Sequence, residues 1–206
     1  MSEALHERPL REEDLDPDPF RQFAAWYAEA GEAVRIPEAM AVATATPDGS
    51  PSVRMVLLKQ HGEDGFVFFT NYESRKGEEL AANARAALLF YWDPLGRQVR
   101  IEGPVERTTA EETLEYVRTR PRGSRLSALA SPQSRPVAGR EELEERVASL
   151  TEQYSDTDLP VTENWGGFRV MPKLFEFWQN RSDRLHDRFI YRPDGAGGWT
   201  IERLAP

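Results

Sequence analysis

The sequence predicts an antiparallel β-barrel with helices packed outside it, a mainly β fold with some α. Three observations lead to this fold class. Apolar residues alternate with a period of two in segments 39–46 and 51–60, and strand-like segments return from residue 165 onward. Turn sequences such as P-D-G-S at 47–50 separate neighbouring segments. The connections between neighbouring strands are too short for the crossovers that parallel strands need.

The chain is expected to form one domain preceded by an arm. Its 206 residues are enough for a single core and too few for two independent domains. Residues 1–17 are polar and acidic, which is typical of a mobile terminus. We therefore expect a flexible N-terminal arm at 1–17 and a single domain at 18–206.

The first half of the domain is predicted to contain a docked helix and then strands. Asp18 and Pro19 provide an N-cap and a first-turn proline. An apolar helical face follows at Phe20, Phe23, Tyr27 and Val34. Beyond the first two strands, we expect a strand at 66–70, a short helix at 74–84 and strands at 86–91 and 97–106.

The second half is predicted to turn helical before strands return. Thr109 and Glu112 form a capping box for a helix that Pro121 ends, and a loop then leads to a charged helix near 139–154. Strands are expected at 165–172, 175–179, 188–192 and 199–204. The last two strands are joined by a hairpin at Pro193-Asp194-Gly195.

Composition excludes several classes of function. There are 35 acidic and 26 basic residues, a net charge of −9, so the surface as a whole repels nucleic acid and anionic membrane. The absence of cysteine excludes disulfides and thiolate metal sites. The three histidines lie in separate segments and offer no metal-ligand spacing. Without a long apolar run or a basic N-terminus, the protein is expected to be cytoplasmic.

A group of cations near the C-terminus suggests an anion site. Residues 177–190 read F-W-Q-N-R-S-D-R-L-H-D-R-F-I. If this segment is an extended strand, Arg184, His186 and Arg188 lie on one face, each about 7 Å from the next. Guanidinium groups bind phosphate and imidazole can exchange a proton near neutral pH. Spacing alone would favour a solvated edge strand of alternating charge.

Other cations occupy unusual places. Arg54 and Lys59 bracket the apolar run M-V-L-L, where a charge needs an anion unless it lies at a strand end in water. In a regular strand these two side chains point to opposite faces. Arg75 and Lys76 follow Ser74 at a helix start, where free N–H groups and the helix dipole also favour phosphate. A solvated helix start has the same pattern.

A third set of residues could bind a phosphorylated heterocycle. Tyr116 and Arg120 are four apart on one helix face and Ser124 follows the Pro121 break, so all three could contact one phosphate. Uncharged donors and acceptors for a planar ring are Gln98, Gln133 and Ser134, although such side chains often face solvent. Trp165 and Trp178 are by default core or interface aromatics.

Taken in order, these segments resemble the pyridoxine (pyridoxamine) 5′-phosphate oxidases, flavin enzymes of the split-barrel fold. The resemblance covers the chain from about residue 20 to its end and is carried by nine motifs. They are R-M-V-L-L-K at 54–59, F-F-T-N-x-x-S-R-K at 68–76, R-Q-V at 97–99, Y-x-x-x-R-P-R-x-S at 116–124, S-x-Q-S at 131–134, W-G-G-F-R-V at 165–170, F-W-Q at 177–179, R-L-H-D-R at 184–188 and R-L-A-P at 203–206.

The resemblance implies a homodimer with two flavin mononucleotides (FMN) at the subunit interface, each contacted by both chains. Residues implied to hold the flavin are Arg54, Met55, Val56, Leu57, Lys59, Phe69, Thr70, Arg75, Lys76, Gln98, Gln133, Ser134, Trp178 and Arg188. Residues implied to hold the substrate phosphate are Lys59, Tyr116, Arg120 and Ser124. Arg184 and His186 are implied to lie over the pyridine ring as the catalytic pair, orienting the substrate and assisting its proton.

The implied reaction is oxidation of pyridoxine or pyridoxamine 5′-phosphate to pyridoxal 5′-phosphate. Hydride passes from the substrate C4′ to flavin N5, and dioxygen then reoxidises the flavin and yields hydrogen peroxide. With the amine, the imine product hydrolyses to the aldehyde and ammonia. The flavin provides the redox chemistry, and the protein provides geometry and electrostatics.

Two departures from the family pattern and three alternatives accompany this prediction. The arm has no tyrosine before the acidic stretch 10–15, whereas the family's arm often carries one that covers the bound substrate. Phe69 stands where a tyrosine is common. A phenazine-type flavin oxidase is disfavoured by the phosphate-binding trio at 116, 120 and 124. A deazaflavin-dependent reductase is disfavoured by the flavin contacts. A non-catalytic binder of flavin or pyridoxal phosphate is disfavoured by the complete R-L-H-D-R motif.

Overall fold

The structure, a computed structural model, describes residues 8–206; residues 1–7 lie outside the described part. The described chain forms five α-helices and nine β-strands. The helices are α1 (Pro19–Ala33), α2 (Arg75–Ala82), α3 (Ala110–Thr119), α4 (Arg122–Ala130) and α5 (Arg140–Gln153). The strands are β1 (Ala39–Ala45), β2 (Pro51–Leu57), β3 (Phe66–Asn71), β4 (Arg85–Trp92), β5 (Arg97–Arg107), β6 (Trp165–Val170), β7 (Leu174–Gln179), β8 (Asp187–Pro193) and β9 (Trp199–Arg203).

Antiparallel pairing closes six of these strands into a barrel. The sheet runs β2-β1-β4-β5, and β5 then pairs with β6, which pairs with β3. A bridge between Gln60 and Val67 joins the chain beyond β2 to β3 and completes the ring. Strands β7, β8 and β9 extend from the first half of β5. The prediction of an antiparallel barrel with external helices is confirmed.

Strand β5 changes partner in its middle. Residues 97–102 pair with β7, and residues 105–107 pair with β6. The segment between β6 and β7 runs alongside β5, and the backbone N–H of Met171 donates to the carbonyl oxygen of Pro104 at 2.8 Å. At Gly103 a Cβ atom would lie 1.9 Å from the carbonyl oxygen of Met171. Only glycine allows so close an approach of two backbones. The barrel and its three-strand extension therefore share one continuous strand.

Helix α1 closes one side of the core as its apolar face predicts. Asp18 Oδ1 accepts a hydrogen bond from the backbone N–H of Phe20 at 2.9 Å, which confirms the N-cap. The Phe23 ring packs edge-on against Phe66 and Phe90 at centroid distances of 4.8 and 5.1 Å. Such aromatic pairs contribute about 0.5–1.5 kcal/mol beyond the burial of their area.

The second half of the predicted arm contacts the barrel. Leu10 is buried, and its backbone N–H donates to Asp187 Oδ2 at 3.1 Å. The Tyr191 hydroxyl donates to the carbonyl oxygen of Asp16 at 2.9 Å. Residues 1–7 of the predicted arm lie outside the described part of the chain. The division at residue 17 and the mobility of the arm stay predictions.

Two local predictions were wrong. Helix α4 occupies a stretch predicted as a loop, because Pro121, which ends α3, also stands where a proline can begin the next helix. The segment 177–190 is not one strand. Gln179 of β7 pairs with Asp187 of β8, so the chain between them must reverse direction.

No helix in the described residues is long and apolar enough to span a membrane, and the location of the protein stays a prediction from its sequence.

Candidate active site

Lys76, in the first turn of helix α2, has its ammonium group bound by a cluster of polar side chains. Lys76 Nζ lies 3.0 Å from Thr70 Oγ1, 3.2 Å from Ser74 Oγ and 2.9 Å from Gln133 Oε1. The Lys76 side chain is buried, and this burial lowers its pKa to about 8, with the nearby Arg54 charge acting in the same direction. Ser74 is the N-cap of the helix, as its place at the predicted helix start implies.

Arg54 points inward from β2 and meets an anion, as a charge on a core strand requires. Its Nη2 lies 3.3 Å from Glu79 Oε2, and its Nη1 donates to the carbonyl oxygen of Val42 at 3.2 Å. Glu79 also accepts from Arg75 Nε at 2.8 Å. Glu79 was missed by the sequence analysis, although its i,i+4 spacing from Arg75 was a usable signal. Arg54, Thr70, Arg75, Lys76 and Gln133 are called the basic cradle below.

Glu79 is ionised despite its burial. Burial alone would raise the pKa of its carboxyl group, but hydrogen bonds from Ser52, Thr44 and Arg75 outweigh it, and the pKa falls to about 2. A carboxylate that accepts several hydrogen bonds is stabilised in its charged form. Glu79 therefore places a negative charge beside the cations of the basic cradle near neutral pH.

Helices α3 and α4 bring Tyr116, Arg120 and Ser124 together as predicted. Arg120 Nη2 donates to the backbone carbonyl oxygen of Ser124 at 3.2 Å. The Tyr116 ring stacks on Phe69 with centroids 3.9 Å apart. The Arg120 guanidinium lies 4.6 Å from the centroid of the Trp165 ring. These contacts form an aromatic wall that orients one cation, and Trp165 is part of the site rather than of the core.

A cleft lies between this wall and two members of the basic cradle, Thr70 and Gln133. Its volume is about 700 Å³, within the range of sites for small molecules. Its lining includes Phe69, Thr70, Arg120, Ser124, Gln133 and Trp165. The cleft thus unites three residues predicted for the flavin with two predicted for the substrate phosphate.

A second group of predicted residues lies on the outer face of the sheet. Gln98, Trp178 and Arg188 stand opposite one another on β5, β7 and β8, so their side chains share one face. Arg188 Nε donates to Glu176 Oε1 at 2.7 Å. The rings of Trp178 and His186 have centroids 4.5 Å apart. This outer-face group joins three of the predicted flavin residues to one of the predicted catalytic pair.

The predicted catalytic pair, Arg184 and His186, lies in the turn between β7 and β8, not on a strand. Residues Ser182–Arg184 form a 3₁₀ turn, with φ of +56° at Asp183 and +60° at Arg184. The Arg184 side chain is exposed, and His186 is half-buried. His186 Nδ1 accepts a hydrogen bond from the backbone N–H of Arg181 at 3.2 Å. The prediction that Arg184, His186 and Arg188 occupy one strand face is therefore wrong.

The remaining residues predicted to hold the flavin lie on or near edge strand β2, except Ser134, which lies beside the cradle. Met55 and Leu57 are exposed on the outer face, while Val56 points inward with Arg54. Lys59 is exposed beyond the end of β2, and its backbone N–H donates to the carbonyl oxygen of Val67 at 2.8 Å. Ser134 is exposed beside the cradle with φ of +69°.

Within one protomer, β2 is far from the outer-face group. Strands β1 and β4 separate β2 from β5, and three strand spacings amount to about 14 Å. Met55 has 65% and Val53 68% of its surface exposed. Apolar side chains so exposed on an edge strand indicate a surface that another protein covers.

Two family models match the chain. Residues 28–154 match the model described as pyridoxamine 5′-phosphate oxidase. Residues 165–206 match the model described as the pyridoxine 5′-phosphate oxidase C-terminal dimerisation region. The chain belongs to the pyridoxine/pyridoxamine 5′-phosphate oxidase family. This is an oxidoreductase family, and FMN is the cofactor.

Curated members of the family match nearly the whole chain. The pyridoxine/pyridoxamine 5′-phosphate oxidase of Bordetella pertussis is 54% identical over 96% of this chain and 93% of its own length. The one from Gluconobacter oxydans is 56% identical over 94% of this chain and 96% of its own length.

Solved structures show the same fold. PhzG from Burkholderia lata, solved with tetrahydrophenazine-1-carboxylic acid, has a TM-score of 0.90 and 33% identity, covering 98% of this chain and all of its own. An FMN-binding protein related to pyridoxamine 5′-phosphate oxidase from Nostoc punctiforme has a TM-score of 0.72 at 17% identity, covering 91% of this chain and 97% of its own. These matches confirm the predicted split barrel, and the match to a dimerisation region supports the predicted homodimer.

The basic cradle fits the phosphate of FMN by the chemistry of its donors. Two guanidinium groups and one ammonium group lie around the N-terminus of α2. Cations and the free N–H groups at a helix N-terminus are the donors that phosphate prefers. Thr70 and Gln133 add uncharged hydrogen-bonding groups at the cleft.

Proposed function

We propose that the protein oxidises pyridoxine 5′-phosphate or pyridoxamine 5′-phosphate to pyridoxal 5′-phosphate, with dioxygen as electron acceptor and hydrogen peroxide as product. The cleft lined by Thr70 and Gln133 of the basic cradle and by Arg120 and Ser124 carries this proposal. Tyr116 stacks on Phe69 in the wall of the same cleft. A flavin enzyme that acts on a phosphorylated substrate needs a second phosphate site next to its flavin site. Pyridoxamine 5′-phosphate would additionally consume water and release ammonia.

The substrate phosphate would bind at Lys59, Tyr116, Arg120 and Ser124. Stacking on Trp165 limits the positions that the Arg120 guanidinium can take, and its Nη2 is directed toward α4. A guanidinium held in one plane presents its donors as a fork that matches phosphate oxygens. The Tyr116 and Ser124 hydroxyl groups would complete the binding.

The flavin would lie between two protomers. The cradle side would be Arg54, Met55, Val56, Leu57, Lys59, Phe69, Thr70, Arg75, Lys76, Gln133 and Ser134. The partner subunit's Gln98, the partner subunit's Trp178 and the partner subunit's Arg188 would supply the other side. The two strands that separate β2 from β5 in one chain support this division, because they place the cradle side and the outer-face group on non-adjacent strands of a protomer.

The chain's own residues would bind and orient the substrate. When bound, FMN supplies the redox chemistry, accepting a hydride from the substrate C4′ and passing the electrons to dioxygen. Arg184 and His186 would hold the pyridine ring, and His186 would hold a proton on the nitrogen that faces away from Arg181. Phe69, Tyr116 and Trp165 would exclude water from one side of the cleft.

The test is an aerobic assay of the protein reconstituted with FMN. Pyridoxal 5′-phosphate and hydrogen peroxide should form in equal amounts from pyridoxine 5′-phosphate. Unphosphorylated pyridoxine should give far less product, because it cannot use the phosphate site. A protein that binds FMN and turns over neither phosphorylated vitamer would contradict the proposal.

The similarity to PhzG favours a second candidate, a flavin oxidase acting on a reduced tricyclic aromatic compound. The convergence of Tyr116, Arg120 and Ser124 argues against it, because an aromatic carboxylic acid has no phosphate for them to bind. The assay distinguishes the two: a protein inert toward vitamin B6 phosphates but active on a reduced phenazine would support the second candidate. Tight FMN binding without either activity would indicate a non-catalytic binder.

A further inference from the structure

Glu79 contacts two cations of the basic cradle at once. Its Oε1 accepts from Arg75 Nε at 2.8 Å, and its Oε2 lies 3.3 Å from Arg54 Nη2. The Glu79 side chain is 4% exposed, whereas that of Arg75 is 62% exposed. A carboxylate buried to this extent is stable only when cations and hydrogen-bond donors surround it. Glu79 and the two arginines therefore depend on one another for their positions.

Hydroxyl groups from two strands complete the surroundings of Glu79. Its Oε2 accepts from Ser52 Oγ on β2 at 2.5 Å and from the Thr44 hydroxyl on β1. Arg54 Nη1 donates to the same Thr44 oxygen at 2.5 Å, and Arg54 Nη2 donates to Ser52. Both Nη groups of Arg54 are thus held before any ligand arrives. Such preorganisation reduces the entropy lost on binding.

The charge of the cluster matches a phosphate monoester. Arg54, Arg75 and Lys76 carry three positive charges, and Glu79 carries one negative charge, which leaves +2. The phosphate group of a monoester carries about −1.5 to −2 near pH 7. Without Glu79 the cradle would hold three neighbouring cations that repel one another in a partly buried place. The carboxylate reduces that repulsion in the ligand-free protein.

We propose that Glu79 is a positioning residue for the FMN phosphate, holding Arg54 and Arg75 in the orientation that the phosphate needs. This inference rests on the proposed function, because it takes the basic cradle as the phosphate site. Glu79 itself would not touch the flavin. Its effect would be transmitted through the two guanidinium groups.

The test compares FMN with riboflavin, which lacks the phosphate. Glu79→Gln keeps the size of the side chain but removes its charge and turns an amide N–H₂ group toward donors. We expect the Kd for FMN to rise about 10- to 100-fold and the Kd for riboflavin to change less than about twofold. Removing a negative charge would by itself favour an anion, so weaker FMN binding argues for lost positioning. Because Glu79 also raises the pKa of Lys76, the comparison is repeated with Lys76→Arg, whose charge does not titrate in this range.

Glu78→Gln is the matched control, because it removes the same charge one residue away on the same helix. Glu78 is exposed and pairs with Arg135 rather than with the cradle. FMN binding of this variant should be unchanged or slightly tighter. In a double-mutant cycle, Arg75→Gln should reduce the effect of Glu79→Gln, because the two side chains act through one contact.

Several outcomes would overturn the inference. Unchanged or tighter FMN binding by Glu79→Gln would do so, and so would equal weakening of FMN and riboflavin. If Glu79→Gln does not fold, as melting of the apoprotein would show, Glu79→Asp replaces it and should weaken FMN selectively but less. A wild-type protein that binds riboflavin as tightly as FMN would refute the cradle as the phosphate site, and with it this inference. The proposed oxidation would then still be decided by the aerobic assay alone.

Discussion

The backbone N–H of Arg181 donates a hydrogen bond to Nδ1 of His186 at 3.2 Å. An imidazole nitrogen that accepts cannot carry the proton, so the neutral ring is the Nε2–H tautomer. The side of His186 that faces away from Arg181 is therefore a donor. The neutral His186 ring can therefore donate one hydrogen bond to a substrate, from Nε2.

Nitrogen NMR of the neutral protein should show this tautomer directly. With ¹⁵N-labelled histidine at a pH where the rings are neutral, we expect Nδ1 of His186 to show the shift of an unprotonated nitrogen and Nε2 that of a protonated one. The His186→Asn variant assigns the signals. The opposite pattern of shifts would show that the Arg181 contact does not control the ring.

Lys76 should make FMN binding depend on pH in the alkaline range. Its pKa is lowered from 10.5 to about 8, chiefly by burial, so the free protein loses this cation well before ordinary lysines titrate. The Kd for FMN should rise as the pH increases through about 8, with one proton involved. Fluorescence titration of FMN between about pH 6.5 and 10 measures this.

Lys76→Arg is the control for that titration, since arginine stays charged over the whole range. Its Kd for FMN should not vary with pH near 8.

The lowered pKa of Lys76 also determines how the stability of the free protein depends on pH. Between pH 8 and 10.5 the unfolded chain binds more protons at this position than the folded chain. The contribution of Lys76 should therefore raise the free energy of unfolding as the pH increases through this range. A wild-type Kd that stays flat through this range would contradict the lowered pKa.

Arg120→Ala should separate substrate binding from flavin binding. Loss of a charge-assisted contact to the substrate phosphate should raise the KM for pyridoxine 5′-phosphate about 10- to 100-fold. The Kd for FMN should change much less, because the cradle is intact. Arg118→Ala is the matched control, since Arg118 is exposed on the same helix. Equal losses in substrate and FMN binding would refute the assignment of Arg120.

Gly103→Ala should destabilise the fold. The added Cβ would lie 1.9 Å from the carbonyl oxygen of Met171, and backbone must move to admit it. We expect a loss of about 1–3 kcal/mol in the free energy of unfolding, measured by urea denaturation. Gly31→Ala, in helix α1 with nothing within 4 Å of its Cβ, should be neutral or stabilising. Similar stabilities for the two variants would show that β5 and the Met171 segment can separate.

Elements with a local signal were predicted well from the sequence. The caps at Asp18 and Thr109 and the alternation in β1 and β2 depend on neighbouring residues, so they are readable from the chain. The turn at 180–186 was not predicted because its charged residues also alternate, and only the pairing of Gln179 with Asp187 requires a reversal. Strand pairing across a sheet has no local signature.

The candidate site shows the same limit. The motifs placed Arg54, Lys76 and Arg120 among cations that need an anion, and the structure brings the first two into one cradle. Glu79 was missed because a glutamate beside Glu78 on a charged helix looks solvated. Only the packing of α2 against β1 and β2 buries it. A buried carboxylate that organises cations is therefore a product of tertiary structure.

Because β5 serves both the barrel and its extension, the two regions matched by family models are not separable parts. The region from residue 165 onward supplies β6, which fills the gap between β3 and β5. Truncation of the chain just before β6 would leave the barrel open along two unpaired edges and make it prone to aggregate. The strands of one barrel are therefore divided between the two matched regions, and neither region contains all of them.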